Sequence, residues 1–251
     1  MEVHQHSSHT AGNQQSAVRK KWTHYFWEFL MLFLAVFCGF IAENIREHQV
    51  EHTREKEYMK SLLSDIAEDT VEMNKSLVMA KEAIQYEDSA ILYIYQHPPD
   101  KYLPENFTDM DTKALRRLKV VFNNITAQQL KNAGNLRLLR SQETIKKISV
   151  YWNKQENTII TLDRYLDYRN RGREFAEKLF AYSERELADA KMIPPISSGT
   201  RVIISDPALW SEYSNILSHC RVTAKIYLEE LTTQRKLAVD LIKTLKKEYN
   251  F

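Results

Sequence analysis

The sequence predicts an all-α protein in which an N-terminal transmembrane helix continues into an elongated antiparallel helical bundle of three long helices plus one or two short ones. Three observations lead to this fold class. The 251 residues include only 5 Gly and 6 Pro, so few positions break a helix. One long apolar run lies near the N-terminus. Beyond it, apolar residues recur every three or four positions, which is the spacing of one helix face.

The apolar run has the length of a membrane span. Residues 29–42 are continuously apolar, and extending the run back to Trp22 gives 21 residues, or about 31 Å of helix. A cleaved signal peptide fits less well, because Phe40 stands where the peptidase needs a small residue. A lipoprotein signal fails as well, since Phe37 precedes Cys38. We therefore expect residues 22–42 to be an uncleaved span, with the lipid bilayer as a partner.

The residues flanking the start of this span are those typical of a membrane interface. They are Lys20, Lys21, Trp22, Tyr25 and Trp27. Arg19 extends the basic cluster, whereas the basic residues beyond the span are dispersed among glutamates. This asymmetry predicts a cytoplasmic N-terminus and an exported helical domain. Residues 1–21 read as a disordered polar tail.

Residues 43–57 read as a charged helical stalk between the span and a bundle domain at 58–251. The stalk contains the pattern H-x-x-E-H at His48, Glu51 and His52, which one class of zinc peptidases uses. On a helix the two histidines share a face and could bind one metal ion. A third ligand and an enclosing cleft are missing from the sequence around them, so the stalk interpretation is favoured and the peptidase is a remote alternative.

The bundle domain shows three long apolar seams. The first is predicted at Met59, Leu63, Ile66, Thr70, Met73, Leu77, Ala80, Ile84 and Ile91, with an interruption at Glu87. Pro98-Pro99 should end this helix. A loop at 100–111, a helix near 110–122 and a turn of helix from an N-cap at Thr126 to about Gly134 should follow.

The second long helix should begin at an N-cap, Ser141, and Gly172 should interrupt it. Its predicted seam is Ile145, Ile148, Trp152, Ile159, Leu162, Leu166, Ala176 and Phe180. Residues 192–207 break the pattern, and Asp206-Pro207 should start the last helix. Its predicted seam is Trp210, Tyr213, Leu217, Cys220, Ala224, Tyr227, Leu231, Ala238, Leu241 and Leu245.

Several short motifs resemble a family of single-pass inner-membrane proteins of Gram-negative bacteria to which no activity is assigned. An aromatic-rich span runs into A-E-N-x-R-E, then R-E-K-x-Y, then a G-x-L-x-L-x-R segment. Here these positions are Ala42, Glu43, Asn44, Arg46, Glu47, Arg54, Glu55, Lys56, Tyr58, Gly134, Leu136, Leu138 and Arg140. The resemblance covers about residues 22–152 and implies an inner-membrane location. It does not call for His48 or His52.

The sequence favours an interaction or structural protein over an enzyme. It has no G-x-S-x-G, no phosphate-binding glycine loop and no cysteine pair at metal spacing, so we expect no catalytic residues and no cofactor. The 35 basic and 33 acidic residues nearly cancel, which argues against nucleic acid. Arg169, Arg171 and Arg173 are a candidate anion or partner patch. We expect a protein partner or a homo-oligomer; a helical sensor that binds a small ligand is the alternative.

Overall fold

The computed structural model describes residues 15–97, 102–132, 134–194 and 199–251, and this part of the chain is all-α as predicted. Its elements are α1 (Gln15–Gln96), β1 (Tyr102–Leu103), α2 (Glu105–Ala114), α3 (Ile125–Asn132), a 3-10 turn (Asn135–Leu138), α4 (Gln142–Leu179), α5 (Tyr182–Asp189), β2 (Thr200–Arg201) and α6 (Pro207–Tyr249). Three helices are long as predicted, and the short ones number three rather than one or two. Pro98-Pro99 and most of the predicted tail lie outside the described residues.

The chain divides into two compact units, Met1–Glu55 and Lys56–Phe251. The described part of the first unit is helical throughout, and almost every side chain from residue 22 to residue 50 is exposed. The second unit contains the remainder of α1 and all the other elements.

In the second unit, α4 and α6 pack along each other in opposite directions. Lys147, near the start of α4, bonds to Asp240, near the end of α6, at 3.0 Å. Tyr168, farther along α4, stacks on His219, nearer the start of α6, with ring centroids 5.0 Å apart. The pairing therefore runs antiparallel.

The part of α1 in this unit also runs antiparallel to α6. Asn74 accepts a hydrogen bond from Arg235 at 2.6 Å, and Asp88, farther along α1, forms an ion pair with Arg221, nearer the start of α6. Because α1 and α4 both oppose α6, they are parallel to each other. The three long helices form a bundle around one apolar core.

The predicted starts of the long helices α4 and α6 are confirmed by their side-chain caps. Ser141 accepts a hydrogen bond from the Thr144 amide at 3.2 Å, and Asp206 accepts one from the Ala208 amide at 2.8 Å. The proline that follows Asp206 occupies the first helical position. An N–H at this position has no intrahelical acceptor, so its absence in proline costs no hydrogen bond.

The buried seam of α1 differs from the predicted one. Its members recur at alternating steps of three and four: Met59, Leu62, Ile66, Asp69, Met73, Ser76, Ala80, Ala83, Glu87 and Ala90. Predicted members such as Leu63, Leu77 and Ile91 are only partly buried. The prediction followed the largest apolar side chains, whereas the true seam includes three polar residues and three alanines.

The segment after α2 is extended, so the helix predicted near 110–122 is confirmed only as far as Ala114 and is wrong beyond it. Arg116 bonds to Glu82 of α1 at 2.6 Å, and the Asn123 amide bonds to Asp69 at 2.7 Å. Those two α1 positions lie about 20 Å apart along the helix axis. Seven residues span that distance only in an extended conformation, since a helix would cover about 10 Å. The loop predicted at 100–111 is also wrong, because β1 and most of α2 occupy it.

The end of α2 is fixed by two side chains of α4. The Nε of Arg169 donates to the carbonyl of Leu115 at 2.8 Å, and the Tyr165 hydroxyl donates to the carbonyl of Arg116 at 2.9 Å. These donors satisfy carbonyls that a longer helix would have used itself. Tertiary contacts therefore end the helix where local propensity would have continued it.

Gly172 permits close packing and does not break α4, which runs unbroken to Leu179. A Cβ atom at this position would lie 2.8 Å from Cδ2 of Leu115. The predicted interruption is therefore wrong, and the glycine instead lets α4 approach the end of α2. The helix stops at Phe180, which forms a bridge with Val202.

Two aspartates of α1 hold the start of α3. Asp65 accepts a hydrogen bond from the Thr126 amide at 3.1 Å, and Asp69 accepts one from the Asn123 amide at 2.7 Å. The other carboxylate oxygen of Asp69 accepts from the Tyr151 hydroxyl of α4, also at 2.7 Å. Thr126 was predicted as the N-cap but is the second residue of α3. Asp65 and Asp69 of α1 supply the hydrogen-bond acceptors that an N-cap side chain would otherwise provide.

Asp69→Ala is expected to lower the free energy of unfolding by about 2–4 kcal/mol, because it leaves a buried hydroxyl and an amide without their acceptor. Urea unfolding followed by circular dichroism measures this. Glu72→Ala, one turn away and paired only with Lys75 on the surface, is the matched control and should cost less than about 1 kcal/mol. Equal losses in the two variants would contradict the role given to Asp69.

Candidate functional site

The predicted membrane-interface residues belong to the exposed apolar part of α1. Trp22, Tyr25 and Trp27 expose 78%, 65% and 61% of their surface. Among the described residues one helix, α1, is long and apolar enough to cross a membrane, and none of its most apolar 18-residue window is buried. The side chains of Lys20 and Lys21 lie outside the described residues.

The H-x-x-E-H stretch lies on a largely exposed part of α1. His48 Nδ1 is 3.8 Å from Glu51, and His52 Nδ1 is 3.4 Å from Glu55. Each histidine is thus beside a glutamate one turn further along the helix. Within the described ranges, no group of three or more His, Cys, Asp or Glu side chains is placed to hold a metal ion.

The three arginines of the candidate patch have different neighbours. Arg169 is half-buried and bonds to the Leu115 carbonyl, and burial lowers its pKa from the usual value. Arg171 lies over the ring of Tyr168, 5.8 Å from its centroid. Arg173 lines a cleft near the end of α4. The structure therefore places the three guanidinium groups in three different environments.

That cleft has a volume of about 510 Å³ and lies where α2, α4, α5 and β2 meet. Its polar lining residues are Asp111, Thr112, Arg173, Glu177, Tyr182, Ser183, Glu184, Glu186 and Arg201. Arg201 donates to Glu184 at 2.9 Å through its Nε. The mixed charges and the partly apolar wall would suit a small polar molecule.

Asp111 is the one fully buried residue in the polar lining of the cleft, and it accepts hydrogen bonds from the hydroxyls of Tyr182 and Tyr213. Burial raises the pKa of Asp111 to about 6, against the opposing effect of the two hydroxyl donors and of Arg173. The carboxyl group links α2 to α5 and α6. It also makes this corner of the bundle sensitive to mildly acidic pH.

A second buried carboxyl group lies in the bundle seam. Glu87 has no exposed surface, and neither of its carboxyl oxygens has a hydrogen-bond partner among the described residues. Burial raises its pKa to about 8, so the group is mostly neutral near pH 7. Its charge also contributes to raising the pKa of Tyr165 and of Cys220, so both lie close to it. Burial keeps Cys220 protonated and unsuited to nucleophilic chemistry.

An apolar groove of about 690 Å³ lies between the extended segment, α3 and α4. Its apolar lining is Val120, Val121, Phe122, Ala127, Trp152, Ile159 and Ile160. Val121 and Ile160 expose 67% and 57% of their surface. Lys131 lies over the Trp152 ring at 4.7 Å from its centroid. Exposed apolar surface in a concave site is typical of a place where another molecule binds.

Sequence reasoning missed the cleft and the groove. Glu87 gave a signal, because it interrupts an otherwise regular seam. Asp111 gave none, since its partners Tyr182 and Tyr213 are 71 and 102 residues away. Comparison of the chain with protein-family models, with curated proteins and with solved structures finds no match.

Proposed function

We propose that this chain is a membrane-anchored helical interaction protein, not an enzyme, with residues 22–42 in the bacterial inner membrane. The observation that carries the proposal is the exposed apolar helix. Phe29 and Phe40 expose 66% and 71% of their surface, within a window of which none is buried. Apolar surface this extensive is unfavourable in water and favourable in hydrocarbon. The basic cluster at 19–21 supports a cytoplasmic N-terminus and a periplasmic bundle.

The interaction role is supported by the second unit. Its core is closed around the three long helices, yet the groove beside Trp152 leaves apolar side chains accessible. Val121 and Ile160 are exposed in one concave site with Trp152, and clustered apolar surface in a concave site is typical of a binding surface. We therefore infer that the groove contacts another protein, and that the membrane span keeps the bundle where that protein is found.

A second candidate function is a ligand-binding sensor that acts through a partner. The cleft beside Asp111 favours it, because it is large enough for a small molecule and carries arginine, glutamate and tyrosine side chains. On this alternative Arg173 and the acidic residues of the cleft would contact the ligand.

Chemical crosslinking in intact cells tests the favoured function. We expect an amine-reactive crosslinker that enters the periplasm, but does not cross the inner membrane, to join the bundle lysines to one defined protein identified by mass spectrometry. Modification of those lysines without a protein adduct would argue against the interaction role. A complete lack of modification would argue against the proposed orientation.

A further inference from the structure

Residues 117–122 have the properties of an unpaired β-strand at the surface of an otherwise helical protein. Their side chains alternate: Leu118 and Val120 are buried, and Arg117, Lys119 and Val121 are exposed. Alternation of this kind is the signature of an extended strand with one face on a core. Three consecutive residues, Val120, Val121 and Phe122, are also of the types most enriched in strands.

The main chain of this strand is fixed at its ends and free between them. Arg169 and Tyr165 bond to the carbonyls just before it, and Asp69 accepts from the amide just after it. Between those points, residues 117–122 make no main-chain hydrogen bond to any part of the chain that the structure describes. Unpaired N–H and C=O groups in a fixed extended conformation are a template for pairing with a second strand.

We propose that residues 117–122 are a docking strand, to which an extended acidic and apolar segment of another protein adds as a second β-strand. This inference rests on the proposed interaction function and names the chemistry of the partner. Main-chain hydrogen bonds would supply the pairing, and an apolar side chain of the partner would enter the groove beside Trp152.

Charge identifies the kind of partner. Between Asp111 and Glu143 the sequence contains seven lysines and arginines and no acidic residue. Of these, Arg117 and Lys119 project from the docking strand, and Lys131 stands at the rim of the groove beside Trp152. Glu156, on the opposite wall, is the acidic residue of the groove lining. Acidic side chains on an added strand would therefore lie beside Arg117 and Lys119.

The same charges argue against a second copy of this chain as the occupant. Two docking strands paired with each other would place both copies of Arg117 and Lys119 in one small two-stranded sheet. Like charges on neighbouring strands destabilise the pairing. An anionic lipid surface would satisfy the charges but would leave the extended main chain unpaired.

The test uses the full chain in detergent micelles and a fluorescent probe peptide that alternates glutamate and valine. We expect the peptide to bind, measured by fluorescence anisotropy, and to protect the amides of residues 117–122 from hydrogen exchange. A peptide that alternates lysine and valine should bind at least about tenfold more weakly. So should the glutamate–valine peptide with N-methyl groups on alternate main-chain nitrogens, because it cannot pair.

Two variants locate the site. Val121→Asp should abolish binding, whereas Val71→Asp, at a comparably exposed valine on α1, should not. Arg117→Glu combined with Lys119→Glu should reverse the preference toward the lysine–valine peptide, which a merely misfolded variant would not do. Circular dichroism confirms that each variant is folded.

Any of the following outcomes would overturn the proposal: no binding of the glutamate–valine peptide, equal binding of its N-methylated form, a dimer that dissociates in Val121→Asp, or binding only to vesicles of anionic lipid. If the crosslinked partner is still found in cells carrying Val121→Asp, the docking-strand proposal is contradicted but the proposed interaction function is not. Loss of that partner in the same variant is the result we expect.

Discussion

Replacing Glu87 with glutamine is expected to raise the free energy of unfolding at pH 9 by several kcal/mol and to change it little at pH 4. The carboxyl group is buried without a hydrogen-bond partner, and burial raises its pKa to about 8 from an ordinary value of 4.5. Each unit of pKa difference corresponds to about 1.4 kcal/mol between the two protonation states. Glutamine retains the shape of the protonated side chain and cannot ionise.

The direction of the pH effect follows from the raised pKa. The folded state holds the proton of Glu87 more tightly than the unfolded state does. The resulting stabilisation is complete below pH 4.5 and is lost as pH rises toward 8. Asp111, whose pKa is raised to about 6, adds a smaller loss between about pH 4 and 6. The contribution of these two carboxyl groups to wild-type stability should therefore fall as pH rises from about 4 to 8.

The neighbours of Glu87 determine how large this effect is. Asp88 on α1 raises its pKa further, whereas Arg221 and Lys225 on α6 lower it by favouring the charged form. Tyr165 on α4 and Cys220 on α6 remain neutral in this range, because burial raises the pKa of both. Arg221 and Lys225 only partly offset the increase in the pKa of Glu87 that burial causes.

Urea unfolding of the Lys56–Phe251 unit, repeated from pH 4 to pH 9, measures the effect. Glu229→Gln, at an exposed position of α6, is the control and should follow the wild type at every pH. The Glu87→Gln curve should depend less on pH and should cross above the wild type as pH rises. A parallel shift of the two curves would mean that Glu87 ionises normally in the folded protein.

Helix α6 shows how much of the fold follows from the sequence. All ten residues of its predicted seam are buried, and its predicted cap is present. Its seam is made of aromatic and aliphatic residues, so hydrophobicity and position agree. On α1 they disagree. Asp69 and Ser76 occupy seam positions because Tyr151 and Tyr227, from other helices, offer them hydrogen bonds. A single sequence does not show which side chains of other helices will lie beside a given position.

The extended segment could not be predicted for a related reason. Its residues are compatible with a helix when read locally, and the helix predicted near 110–122 used that pattern. The chain instead follows α1, because Glu82 and Asp69 bind its two ends and α4 takes the carbonyls at its start. The groove and the free strand exist only through these long-range contacts. Sequence patterns describe single elements well but do not show how the elements bind each other.

The chain with the membrane span and a chain that begins at Lys56 should differ strongly in how they associate with membranes. The full-length protein is expected to sediment entirely with membranes and to resist extraction by alkaline carbonate, because about 20 apolar residues are transferred from hydrocarbon to water when it leaves the bilayer. A chain that begins at Lys56 lacks the exposed apolar helix and retains the complete bundle core. We expect it to be soluble without detergent, helical and cooperative in thermal unfolding.

Carbonate extraction of the two forms from the same cells tests whether residues 22–42 anchor the chain in the membrane. We expect the full-length chain to stay in the membrane pellet until detergent is added, and the chain from Lys56 to appear in the supernatant. Release of the full-length chain by carbonate alone would contradict membrane anchoring by residues 22–42. Retention of the shorter chain in the pellet would show that the bundle itself, and not the span, holds the protein at the membrane.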